Sequence, residues 1–143
     1  MTDSILVVRK LSMVREHAGR VRRRMGIDAT VFRADTDLQD AAAMSLLVAT
    51  QEVVDIALHI AADEGWGVAG SSGEAIDVLA THAVIDEELA RSLRQIVSLR
   101  HRLAHGYASI DIDRLRTELP DGLDALDHFA AAIAAWLATN DTI

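Results

Sequence analysis

The chain has 143 residues, half of them hydrophobic but only 3% aromatic, with one Pro, no Cys and a formal net charge of −8. That length suits a single domain over residues 1–143 with a real core. The core must be built from Ala, Leu, Val and Ile, and an Ala-rich chain with one proline favours helices over strands. The missing cysteines exclude a disulfide framework, a thiolate zinc site and a cysteine nucleophile.

In chain order, Ile5, Val8, Leu11, Val14, Val21 and Met25 recur at helical spacing and predict a helix over residues 4–24, with Gly26 as its stop. The first apolar run, Ile5 to Val8, ends at Arg9 and Lys10. It is too short for a signal core or a spanning helix, so a soluble, cytoplasmic protein away from membranes is expected. Asp35 or Asp37 can cap a second helix reaching about Glu64. From Ala41 to Ala49 it is apolar almost all round, the mark of a helix in the middle of a bundle. It reads as too short, and too charged at Glu52 and Asp55, to span a membrane.

Residues 65–73, GWGVAGSSG, read as a loop. Ser71 followed by Glu74 resembles a capping box that opens a short helix to about Thr81. Asp86 opens the next helix, through Leu89, Leu93, Ile96, Val97 and Leu103, and Gly106 is a natural terminator. A further helical stretch begins near Asp111 and is expected to break at Pro120. The last helix then covers about 121–138, with Leu123, Leu126, Phe129, Ile133 and Leu137 inward. The expectation is an all-α antiparallel bundle of four to five main helices with short connections.

The negative total argues at first against a nucleic-acid partner. The charge is nevertheless segregated: residues 1–24 hold seven of the fourteen basic residues, residues 91–116 hold six, and residues 34–90 hold none but carry twelve acids. One face can then be positive despite the acidic sum, although most of these arginines are expected merely to solvate helix surfaces.

Gly65, Gly67 and Gly70 spell G-x-G-x-x-G, but a helix precedes them and Asp63 and Glu64 would repel a phosphate, so a plain interhelical loop is expected. His59 follows Asp55 by four residues and is expected to pair with it. His101 and His105 share a helix face at metal-ligand spacing. No third ligand is near in sequence, and Arg100 and Arg102 would repel a cation, so no metal or other cofactor is called for.

Arg100 stands apart. The apolar stripe of Leu89, Leu93, Ile96 and Val97 extends by helical steps onto Arg100 and then Leu103 and Ala104, so a charge occupies a position reserved for an aliphatic residue. Burying an unpaired charge costs several kcal/mol or more. The structural explanations are a snorkelling side chain, a partner acid on the second helix, or a cation favoured by the helix C-terminus.

The segment from Arg100 to Tyr107, RHRLAHGY, resembles the R-x4-6-H signature of the HEPN superfamily. More narrowly it resembles the R-x4-H-x-Y form of the HepT-like ribonucleases, matched by Arg100, His105 and Tyr107. The QEVVDIALHIAADEG and IDEELARSLRQIVSLRHRLAHGY segments resemble that family in order and spacing over nearly the whole chain. His101 stands where many members have Asn.

RNA carries its own nucleophile, the 2′-hydroxyl. A protein cleaves it by moving protons, for which a histidine with an ordinary pKa of about 6.5 is suited, and by stabilising the phosphorane, for which the arginine fork is suited. The resemblance implies an endoribonuclease toxin acting as a homodimer whose two motifs meet in a composite cleft. Arg100 would stabilise phosphate, His105 transfer protons, His101 position as a polar residue and Arg102 contact the RNA backbone. It also implies a partner, an MntA-type minimal nucleotidyltransferase antitoxin, that adds AMP to Tyr107. The alternative is a HEPN module that binds nucleotides or partners without cutting RNA.

Overall fold

The structure, a computed structural model, describes residues 1–106 and 111–140. Among these residues every regular element is a helix: α1 (Ser4–Met25), α2 (Ala29–Ala34), α3 (Thr36–Asp63), α4 (Ser72–Thr81), α5 (Glu87–Gly106) and α6 (Ile112–Asn140). Short side-chain acceptors start them. Asp3 accepts from the Leu6 amide, Asp28 from Thr30 and Val31, Asp35 from Leu38, Ser71 from Glu74 and Asp86 from Leu89. Each such cap contributes about 1 kcal/mol by satisfying amides that the first turn leaves unpaired.

α3 is the axis of the antiparallel bundle, in contact with all five other helices. Leu46, Ala49, Val53, Ile56, Ala57 and Ile60 are at most 1% exposed. α1 packs along α3 and brings Val7, Leu11, Val14, Ala18 and Val21 into the same core. Its inward stripe therefore starts at Val7. Ile5 and Val8, two of the residues whose spacing predicts the helix, are 74% and 54% exposed. α3 also corrects the reading of its length: at 28 residues, with a window of mean hydropathy 1.5, it is long and apolar enough to cross a membrane. Half of that window is buried inside the bundle, so packing rather than composition marks it as a core helix.

Two features depart from expectation. α2 is an additional six-residue helix that buries Phe32 completely. α6 runs unbroken through Pro120. Pro120 is exposed, so the one ladder bond it removes lies on the solvent side. Leu115, Leu119, Leu123 and Leu126 on the other side are buried and carry the helix through. Burial of each such side chain stabilises by about 1.5–3 kcal/mol, enough together to outweigh a local proline penalty of about 3 kcal/mol. Two residues later, Gly122 lets α6 meet α5: a Cβ there would stand 2.5 Å from Ile96 Cδ1.

The glycine-rich loop is as expected. Gly65 and Gly67 take positive φ, and Ser71 and Glu74 close the start of α4. The Glu74 carboxylate accepts from the Gly70 amide at 2.7 Å, so an acid already occupies a donor that a phosphate would need.

Candidate active site

α5 brings the motif to the surface on two of its sides. Its buried stripe is Ala90, Leu93, Ile96, Leu99 and Leu103. Arg100 lies at the border of that stripe, half-buried, and turns toward α3. Its Nη2 donates to Gln51 Oε1 at 2.7 Å, while Nε is buried and makes no hydrogen bond to the described residues. The guanidinium has thus given up part of its hydration for one neutral acceptor. The acid expected as a possible partner on this helix is one step further away. Gln51 Nε2 donates to Asp55 Oδ1 at 3.0 Å, and Lys10 Nζ of α1 stands 3.6 Å from Asp55 Oδ2 and 3.2 Å from Glu52 Oε2. Among the described residues Asp55 takes its contacts from Gln51 and Lys10 and not from His59, which corrects the expected Asp55–His59 pair.

His101, Arg102 and His105 are all exposed. The His101 and His105 rings lie together one turn apart, centroids 4.4 Å and planes tilted 56°. His105 sits in the last turn of α5, where the helix dipole favours a cation. Five residues separate it from Arg100, roughly 140° around the helix at 3.6 residues per turn. One chain therefore brings His101 to His105 but points Arg100 to another side. Arg102 lines a groove of about 580 Å³ between α5 and α6, together with Arg91, Ser98, Glu118 and Asp121. Tyr107 lies outside the described residues.

Several other arginines, expected merely to solvate helix surfaces, instead tie elements together. Arg22 bridges Asp124 and Asp127, and Arg33 holds Asp113. Arg94 pairs with Glu87 and Asp77, which raise its pKa above the ordinary arginine value against partial desolvation. Arg116 donates to the carbonyls of Ile27 and Met25 and lies over the Phe32 ring. Arg100 differs in being half-buried and held by a neutral amide, with no ion pair among the described residues. Sequence reasoning missed Gln51. Its only local signal is the i, i+4 spacing to Asp55; its contact with Arg100 spans 49 positions and two helices.

The sequence profile of the ribonuclease HepT-like family matches residues 14–133. The chain belongs to that family. The expected resemblance and the expected enzyme class, an RNA-cleaving nuclease, are both met by this match. A curated relative, the mRNA nuclease HepT of Shewanella oneidensis, is 25% identical over 130 residues, covering 91% of this chain and 97% of its own. Among solved structures, the tri-AMPylated HEPN toxin of Shewanella oneidensis in complex with MNT antitoxin superposes with a TM-score of 0.84 at 25% identity, over 94% of this chain and 99% of that one. YutE of Bacillus subtilis, described as a cytosolic protein of unknown function, shares the fold at a TM-score of 0.79 and 17% identity, over 97% of this chain and 93% of its own.

Proposed function

We propose that this HepT-like ribonuclease is the toxin of a toxin–antitoxin pair and cleaves RNA without a metal, through Arg100 and His105. The observation that carries the reading is the state of Arg100 within a chain of this family: a partly desolvated guanidinium on a neutral partner, on the same helix as an exposed histidine. A nearby carboxylate would have spent that charge; an amide leaves it for a phosphate.

Two copies complete the chemistry. Met44, Leu47, Val48, Gln51 and Leu58 share one face of α3, and Met44 is 60% exposed. Half-buried Val97 and exposed Ala104 of α5 flank Arg100. This apolar surround suits a second copy of the chain, which would supply a second arginine and histidine to one cleft. One His105 then takes the 2′-hydroxyl proton as O2′ attacks phosphorus. The P–O5′ bond breaks, and the other His105 gives a proton to the leaving O5′. The products are a 2′,3′-cyclic phosphate and a 5′-hydroxyl. Proton transfer of this kind contributes ~10²–10⁴-fold, and Arg100 stabilises the charge that develops on the phosphorane. His101 positions His105, and Arg102 contacts the RNA backbone.

The solved relative in its AMP-bearing form, bound to an MNT antitoxin, supports a cognate nucleotidyltransferase that neutralises this chain by adding AMP to Tyr107. The adduct would bring negative charge to the phosphate site and compete for Arg100. Expression of the wild type should arrest growth, and purified protein should cut RNA. Arg100→Ala and His105→Ala should each abolish both effects while remaining helical. A soluble, helical wild type that binds RNA without cutting it would favour the non-catalytic module instead.

A further inference from the structure

Arg100, as the phosphate-binding group of this cleft, needs a fixed position and an unspent charge. Carboxylate partners supply the first and remove the second. The structure uses a different arrangement across three helices. Lys10 of α1 bridges Asp55 and Glu52 of α3; Asp55 orients the Gln51 amide by accepting from its Nε2; and the Gln51 carbonyl oxygen, so turned, accepts from Arg100 Nη2 at 2.7 Å. An amide can present either its oxygen or its NH2 group. The Asp55 acceptor resolves that choice, because only with NH2 toward Asp55 does the oxygen face Arg100. The negative charge of Asp55 stays one side chain away from the guanidinium and shares the Lys10 ammonium with Glu52.

We infer that Gln51 is a positioning residue for RNA cleavage, a neutral holder that fixes Arg100 in the cleft without consuming its charge, with Asp55 and Lys10 setting its orientation. The inference rests on Arg100 being the phosphate-stabilising group. Misplacing such a group by about 1 Å can cost ~10²-fold in rate, and a carboxylate in the place of Gln51 would pair with the fork that the phosphorane needs.

The decisive variant is the double exchange Gln51→Glu with Asp55→Asn. It preserves side-chain shapes, the number of charges and the chain of hydrogen bonds from position 55 through position 51 to Arg100: the new amide can donate to the new carboxylate, which accepts from Arg100. Lys10 keeps Glu52. Only the location of the negative charge changes. A purely structural bond would leave cleavage of a fixed RNA oligonucleotide as it was. The inference predicts an unchanged melting temperature, kcat lowered by ~10-fold or more and a raised KM. Gln51→Leu, which removes the acceptor, should lower kcat with a smaller effect on KM. Wild-type kcat in a folded double variant overturns the inference, as does wild-type kcat in Gln51→Leu. Should the double variant fail to fold, Gln51→Leu alone decides. The Arg100→Ala control separates the two readings. If the wild type cuts and Arg100→Ala does not, normal activity in the Gln51 variants removes only the role of Gln51. If the wild type never cuts, or Arg100→Ala cuts normally, the assignment of Arg100 falls and the inference falls with it.

Discussion

His101 and His105 stand one turn apart on α5 with ring centroids 4.4 Å apart and planes tilted by 56°, both exposed. The contact can restrict the rotamers of His105 without removing it from water. If His101 acts by polar positioning, a shorter polar side chain serves and an apolar one does not. His101→Asn should keep cleavage within about threefold of wild type, and His101→Leu should lower kcat by ~10-fold, a loss within the range that misplaced catalytic groups show. Steady-state kinetics on one RNA oligonucleotide checks both. Equal, complete loss in the two variants would make His101 a proton-transfer group itself.

Arg100 places activity against stability. Its buried Nε is unsatisfied by the described residues and its guanidinium is partly desolvated for a single neutral bond. Arg100→Met keeps the length of the stem and removes the charge. Replacing a poorly compensated buried charge by an apolar side chain is neutral or stabilising, here by about 1 kcal/mol. The variant should therefore denature at the same or higher urea concentration than wild type while losing cleavage by ~10²-fold or more. Marked destabilisation would show that the Arg100–Gln51 bond serves mainly to hold α3 to α5.

The proposed dimer face is testable at one residue. Met44 is 60% exposed on the α3 face that carries Gln51. Met44→Glu leaves the monomer core untouched but would bury a charge in the interface, at a cost of several kcal/mol. Light scattering coupled to gel filtration should report a dimer for wild type and a monomer for Met44→Glu, and cleavage should fall with dimer content. A dimeric, fully active Met44→Glu would move the interface to another face.

The proposed control through Tyr107, the sole tyrosine of the chain, can be tested apart from catalysis. The cleavage chemistry does not need a phenol. Tyr107→Phe should keep substantial cleavage but escape neutralisation by the cognate nucleotidyltransferase. Intact-mass measurement after incubation with that partner and ATP should show AMP additions on wild type and none on the variant. Loss of cleavage in Tyr107→Phe would put the hydroxyl in catalysis; unchanged AMP addition would put the acceptor elsewhere.

What the sequence made legible follows the range of the interactions. The long helices α1, α3 and α5 are visible because α1 and α5 repeat their apolar residues at helical spacing, α3 is a long apolar run, and each begins at a capping acid. α2 escapes because six residues contain too little periodicity; Asp28 and the lone Phe32 were its only marks. Pro120 misleads because a local backbone preference ignores the buried leucines on either side of it. In the site, Arg100 is visible as a charge where the apolar stripe of α5 is extended, although it lies at the border of the buried stripe, and His105 as its companion in a family motif. Gln51 is not, since nothing near it in sequence points to a helix 49 residues away. Asp55 shows the reverse error: a local i, i+4 rule assigns it to His59, but tertiary packing gives it to Lys10 and Gln51.

The central claim is that Arg100 and His105 cleave RNA with the substrate's own 2′-hydroxyl and no metal ion. Its most direct test is the end chemistry of RNA cut by the purified protein in excess chelator. The account predicts undiminished cleavage, a 2′,3′-cyclic phosphate or its hydrolysis product on one fragment and a 5′-hydroxyl on the other. Cleavage abolished by the chelator and restored by magnesium, with 5′-phosphate ends, would contradict it.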